Sequence, residues 1–166
     1  MTVKRHRYQP GLTFVELLIA TVILLIAVIG TAAFRYHAAL GARKADLRTT
    51  AARTTLLLCE GWRGAAEPNA FNPETQLDAL VEDASFDIDQ LSEPGGSLSV
   101  PSGFTLLGAY RITIDNVEYY AVLCWQDVAL GLRALNVVVA WNQRGYGPDS
   151  GFSPDKSFAL TTYIDT

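Results

Sequence analysis

The stretch PGLTFVELLIATVILLIAVIG, residues 10–30, decides the fold because it is long, apolar and interrupted by a single acid. Between Leu12 and Phe34 the only charged side chain is that of Glu16. A helix of this length, at about 1.5 Å per residue, spans roughly 35 Å, which is enough to cross a bilayer core of about 30 Å. We therefore predict a transmembrane helix over residues 12–34, with a carboxylate close to one membrane interface.

The residues before this helix are basic, with Lys4, Arg5 and Arg7 and no acid. Because basic residues are enriched on the cytoplasmic side of membrane proteins, this end is predicted to stay in the cytoplasm while the rest of the chain crosses the membrane. The formal net charge of the chain is −4, and its basic residues are not gathered on one long face. This pattern does not favour a nucleic-acid partner.

Three kinds of N-terminal processing are compatible with the apolar segment. A secretory signal, whose apolar region has about 7 to 15 residues, would be cleaved after small residues such as Gly30 and Ala32. A simple membrane anchor would be retained whole, and it would have no use for Glu16. In the third case, cleavage between Gly11 and Leu12 makes the apolar segment the mature N-terminus.

The third case is supported by a family resemblance. Gly11 followed by LTFVE and the apolar run resembles the class III leader of type IV prepilins and type II secretion prepseudopilins, over roughly the first 35 residues. The resemblance implies that prepilin peptidase cleaves after Gly11 and methylates the new amine of Leu12, with Glu16 as the fifth mature residue. Leu12 stands where phenylalanine is commonest in the family. No proline lies between Pro10 and Pro68, so the helix kink of many type IV pilins is not expected.

The same resemblance implies a structural role without enzymatic activity. It describes a minor pilin or pseudopilin of the inner membrane, with a cytoplasmic N-terminus and a periplasmic head, that enters a pilus or a secretion or DNA-uptake pseudopilus. The implied partners are other pilin or pseudopilin subunits, prepilin peptidase, the inner-membrane assembly platform and membrane lipid. In the filament, Glu16 of one subunit would meet the terminal ammonium of Leu12 in a neighbour, and losing one partner of such a buried pair costs about 3–5 kcal/mol. The alternative is a periplasmic binding or adhesive domain that uses the segment only for anchoring or export.

Residues 35–63 are predicted to continue the helix in amphipathic form. Apolar or small side chains recur at spacings of three and four residues, namely Tyr36, Leu40, Leu47, Ala51, Thr54, Leu58 and Trp62. Gly61 and Gly64, with Pro68 beyond them, predict the end of the helix.

The rest of the chain is predicted to be a loop region followed by an antiparallel sheet. The loop region, residues 64–103, contains a short helix at 73–84 and a short strand at 85–91. The head, residues 104–166, contains four β segments, at 104–114, 118–128, 133–143 and 157–165, with a hairpin at 115–117. Three or four antiparallel strands packed on the amphipathic helix define an α+β fold, which is the pilin-like roll that the resemblance implies.

The two cysteines allow two interpretations. Export would place Cys59 and Cys124 in an oxidising compartment, where a disulfide between helix and sheet would contribute about 2–4 kcal/mol. Alternatively, both residues are buried thiols that act as small apolar side chains.

Catalytic and metal sites are not expected. His6 is lost with the leader and His37 lies at the membrane exit, so the head has no histidine for a catalytic triad. Asp149 and Asp155 lie in a loop rich in glycine and proline, as weak candidates for calcium ligands. They lack the dense alternating oxygen ligands of a calcium loop, so we expect solvated turns and no cofactor.

Overall fold

The computed structural model describes residues 13–77, 86–94, 98–143 and 154–165. The chain divides between Arg43 and Lys44 into two compact units, which we call unit 1 and unit 2. One helix, α1 (Phe14–Gly64), runs through this boundary. Unit 1 contains the first part of α1, and unit 2 contains its second part together with a β-sheet.

The elements after α1 follow one another without crossovers. They are a 3₁₀ turn (Pro68–Ala70), α2 (Pro73–Gln76), β1 (Phe86–Leu91), β2 (Thr105–Ile114), β3 (Val117–Ala129), β4 (Leu132–Trp141) and β5 (Lys156–Asp165). Each strand pairs antiparallel with the next, so the sheet order is β1-β2-β3-β4-β5. The predicted α+β fold, with a long apolar helix and an antiparallel sheet, is confirmed.

The short strand predicted at 85–91 is β1, and it pairs with β2 in the sheet, which the prediction had confined to residues 104–166. Phe86 and Ile88 alternate with Asp87 and Asp89, which is the pattern of a strand with one buried face, and Ile88 is buried in the core. The expectation of three or four strands was therefore wrong by at least one strand. The described part of the short helix predicted at 73–84 is the four-residue α2, and the rest of that range lies outside the described residues.

The hairpin between β2 and β3 is confirmed, with a turn one residue shorter than predicted. Asp115 and Asn116 both have positive φ angles, 51° and 61°, and Val117 already belongs to β3. Two consecutive residues with positive φ form a type I′ turn, whose twist matches that of the flanking strands.

The core of unit 2 lies between α1 and one face of the sheet, which we call the core face. From the helix, the predicted residues Leu47, Ala51, Thr54, Leu58 and Trp62 are buried, and so are Thr55 and Cys59. From β4, the core face carries the predicted row Leu135, Val137, Val139 and Trp141. The prediction was wrong for Tyr36 and Leu40, which belong to unit 1 and are exposed.

The end of α1 is fixed to the sheet by polar contacts. Arg133 on β4 donates hydrogen bonds to Asn69 Oδ1 at 2.5 Å and to Asp127 Oδ1 at 2.7 Å, and its guanidinium lies 3.9 Å from the centre of the Trp125 ring. Trp62 donates its indole N–H to the Pro68 carbonyl at 2.7 Å. The chain is therefore held against β3 and β4 where the helix ends.

Candidate functional site

The first candidate site is the start of α1, where Glu16 and Thr13 bond to each other reciprocally. Glu16 Oε2 accepts hydrogen bonds from the Thr13 backbone N–H at 3.1 Å and from its hydroxyl at 3.2 Å. The Thr13 hydroxyl oxygen accepts from the Glu16 backbone N–H at 3.3 Å, and the Thr13 carbonyl accepts from Leu17. This arrangement is a capping box, in which two backbone donors at a helix start are satisfied by side chains.

The role of Thr13 was missed in the sequence, although the signal was present. The pattern Thr-x-x-Glu directly before an apolar run marks a helix start, because the two side chains can reach each other's backbone N–H. The carboxylate of Glu16 therefore has a use inside its own chain. Any role in assembly is additional to that use.

The apolar segment of α1 in unit 1 presents its large side chains on all sides of the helix. Its most apolar 18-residue window has a mean hydropathy of 2.8, and none of that window is buried. Exposed large side chains recur through it: Phe14, Val15, Leu17, Leu18, Ile19, Val22, Ile23, Leu24, Leu25, Ile26, Val28 and Ile29. This helix is long and apolar enough to cross a membrane.

The hydroxyl groups within the apolar segment are satisfied by the helix itself. Thr21 donates to the Leu18 carbonyl at 2.8 Å, and Thr31 donates to the Ala27 carbonyl at 2.7 Å. Because a polar group in hydrocarbon must find a partner inside the protein, these bonds make both threonines compatible with lipid.

The apolar segment ends in aromatic and basic side chains. Phe34, Arg35, Tyr36 and His37 follow one another, and the rings of Tyr36 and His37 meet edge to face with centroids 5.8 Å apart. Aromatic residues are enriched at membrane interfaces, where one part of the ring system is apolar and the other is hydrated.

One side of this segment is a shallow apolar groove, since its small residues leave space between larger neighbours. It is lined by Ala20, Ile23, Leu24, Ala27, Val28, Thr31, Ala32 and Arg35, all on α1. Small residues on a membrane helix allow another helix to approach closely.

The predicted processing residues Gly11 and Leu12 lie outside the described residues. The described residues therefore begin after the predicted cleavage site.

The cysteines are free thiols on different sides of the sheet. Cys59 belongs to the core cluster between α1 and the core face. Successive residues of a strand point to opposite faces, and Leu123 points to the core face, so Cys124 points to the second face. There its sulfur lies 3.5 Å from Asn136 Oδ1. Because β3 separates the two side chains, the structure favours buried thiols over the helix-to-sheet disulfide.

Burial also changes the acidity of these thiols. It raises the pKa of Cys124 to about 11. Burial and the negative charge of Glu60 raise the pKa of Cys59. Thiolate is the reactive form, so both residues are poor nucleophiles at neutral pH.

The acids proposed as calcium ligands show a different arrangement. Asp155 Oδ1 accepts a hydrogen bond at 2.8 Å from the Gln143 backbone N–H, which ties the end of β4 to the start of β5. Asp149 lies outside the described residues. Among residues 13–77, 86–94, 98–143 and 154–165, no three His, Cys, Asp or Glu side chains are grouped to hold a metal ion.

Comparisons with protein-family models, curated proteins and solved structures gave no match. The class that fold and site define is therefore a coarse one: an α+β protein with an N-terminal helix long and apolar enough to cross a membrane.

Proposed function

We propose that this protein is a minor pilin or pseudopilin, a structural subunit that assembles through its N-terminal helix after removal of residues 1–11. The observation that carries the proposal is Glu16, five residues after Gly11, at the start of an apolar helical segment whose large side chains are exposed. An exposed apolar surface of this size requires lipid or other helices around it. Before assembly, membrane lipid surrounds this surface. After assembly, the helices of neighbouring subunits surround it.

The second half of α1 supports the same proposal. From Leu47 to Trp62 one face of the helix is buried against the sheet, so the helix carries a folded domain on its C-terminal part. One helix thus provides both an apolar segment for a filament core and the support of a head.

The capping box refines the proposed role of Glu16. Both bonds from Thr13 reach Oε2, and a carboxylate offers about four acceptor positions on its two oxygens. The carboxylate can therefore cap its own helix and also accept an ammonium from the terminal amine of a neighbouring Leu12. In this arrangement Thr13 orients the carboxylate of Glu16, and the terminal amine of the neighbouring subunit supplies the positive charge.

Two substitutions separate capping from charge pairing. Glu16→Gln keeps an acceptor that suits a capping box but removes the charge, whereas Thr13→Ala removes the cap and keeps the charge. We expect Glu16→Gln to be processed and inserted normally yet to enter filaments at least about tenfold less, since the ammonium of the neighbour is then buried without a counter-ion. We expect Thr13→Ala to assemble, with a helix weakened by about 0.5–2 kcal/mol.

The measurement is the amount of each variant in sheared filaments relative to the membrane fraction, by quantitative immunoblot in the native host. Normal incorporation of Glu16→Gln, with loss of Thr13→Ala, would show that capping alone explains the acid. The mass of the mature N-terminus decides between this function and the alternative. A methylated Leu12 supports the filament subunit, a start at Ala33 indicates a secreted domain, and an intact Met1 indicates a simple anchor.

A further inference from the structure

β5 forms one edge of the sheet in unit 2, and one side of this strand is open. All ten residues of β5 pair with β4 on one side, and no other strand among the described residues lies on its other side. Every second residue of such an edge directs its N–H and C=O away from the sheet. Among the described residues, none of the backbone hydrogen bonds outside regular elements involves β5.

The apolar row of the core face is also incomplete at this edge. Val137 and Val139 on β4 are fully buried, whereas their cross-strand partners Leu160 and Phe158 on β5 are only half-buried. Ile164 continues this half-buried row. A further strand beside β5 would cover these side chains as well as pair the backbone.

The two edges of the sheet differ in their protection against pairing. β1 has six residues and carries Asp87 and Asp89. β5 has ten residues, its segment 157–164 contains no charge and no proline, and its register with β4 has no bulge. Charges, prolines, bulges and short length are the devices that keep edge strands unpaired, and β5 lacks all four between its terminal residues.

We propose that the open edge of β5 is a strand-addition site, and that its ligand is an extended segment of a different protein. The backbone of β5 would supply the hydrogen bonds, and alternating apolar side chains of the ligand would extend the row formed by Phe158, Leu160 and Ile164. The site belongs to unit 2 alone and does not depend on the function proposed above, so either proposal can fail without the other.

The charge of unit 2 argues for a different protein over a second copy. Residues 44–166 contain sixteen Asp and Glu against eight Lys and Arg, so two copies joined edge to edge would bring two acidic units together. A neutral or basic segment meets no such repulsion.

A synthetic peptide with the sequence of residues 132–141 is the probe. It repeats the strand that β5 already pairs with, it carries one positive charge from Arg133, and its alternate residues are apolar. We expect it to bind the full chain in detergent micelles saturably, measured by fluorescence anisotropy. Hydrogen exchange should show new protection on alternate amides of β5 and none on β1.

Two altered peptides test the geometry without changing the protein. Val137→Lys places a charge in the apolar row, and Val138→Lys places the same charge on the other side of the added strand. We expect the first to weaken binding by at least about tenfold and the second to bind within about twofold of the original, because only the first charge is buried.

Several results would overturn the proposal: no saturable binding, equal binding of the two altered peptides, protection at β1, or loss of protection in β4 because the peptide replaces that strand. A dimer of the chain alone, detected by sedimentation and dissolved by the peptide, would assign the edge to a second copy and would also overturn it.

Discussion

At the residue scale, Gly108 on β2 shows how closely the core of unit 2 is packed. A Cβ at this position would lie 2.6 Å from the hydroxyl oxygen of Tyr110 and 2.9 Å from two of its ring carbons. Tyr110 is only 1% exposed and belongs to the core cluster, so its ring cannot move away without disturbing other core side chains. The glycine is therefore required by the neighbouring side chain.

We expect Gly108→Ala to lower the free energy of unfolding by about 1–3 kcal/mol, because overpacking forces side chains from their preferred rotamers. Gly41→Ala is the matched control, since a Cβ there meets nothing within 4 Å and alanine favours a helix. Urea unfolding of both variants in detergent, followed by tryptophan fluorescence, measures the difference. A Gly108→Ala protein as stable as the wild type would contradict this packing.

Cys59 and Cys124 provide a second test at this scale. Both are free and buried, on different faces of the sheet, and burial raises the pKa of each thiol. We expect iodoacetamide at pH 8 to leave the folded protein unmodified and to alkylate both residues after unfolding without reductant. Intact-mass measurement counts the added groups. An unfolded chain that accepts none until it is reduced would establish the disulfide instead.

At the scale of elements, the connection between α1 and the sheet depends on Arg133. Its side chain is 13% exposed and contacts three groups, on the segment after α1 and on β3. The ion pair of Arg63 with Glu60 lies on the helix surface, with both side chains about half or more exposed. The two arginines therefore provide a comparison between a mostly buried guanidinium and an exposed one.

We expect Arg133→Gln to lower the free energy of unfolding by about 1.5–3 kcal/mol, because charged hydrogen bonds and the contact with Trp125 are lost together. Arg63→Gln should change it by less than about 0.5 kcal/mol, since exposed ion pairs contribute little. Urea titrations of the two variants under identical conditions measure both values. Similar effects for the two substitutions would mean that Arg133 does not hold the end of α1.

At the scale of the whole molecule, the buried acidic hydroxyl and thiol groups determine the alkaline limit of stability. Burial raises the pKa of Cys124 from 9.0 to about 11, and burial with the charge of Glu74 raises that of Tyr110 from 10.0 to about 12. In both cases the folded state favours the neutral form. The resulting contribution to the free energy of unfolding is fully present below pH 9 and is lost as the pH rises towards 12.

We therefore expect the urea midpoint of the full chain to be constant near pH 8 and to fall steadily above pH 9. Tyr110→Phe should reduce the part of the fall above pH 10, and Cys124→Ala should reduce the part that begins at pH 9. Circular dichroism at a series of pH values measures these midpoints. A midpoint that does not change up to pH 11 would contradict the burial of both groups.

Much of this molecule follows from local patterns in the sequence. The apolar run from Leu12 to Phe34 predicts a long helix, and the three- and four-residue spacing from Leu47 to Trp62 predicts its buried face. Alternation in β4 predicts the row on the core face. These features depend on a periodicity that is set by the backbone alone, so neighbouring residues are sufficient to reveal them.

Other features depend on residues that are distant in the sequence. Only the fold shows that β3 separates Cys59 from Cys124. Alternation along a strand places neighbouring side chains on opposite faces of the sheet, but it does not show which face packs against the helix. The sequence predicts a short strand at 85–91, but only the fold joins it to the sheet, because its partner β2 lies at a distance in the sequence. The open edge of β5 likewise follows from the order of the five described strands, which no single segment of the chain encodes.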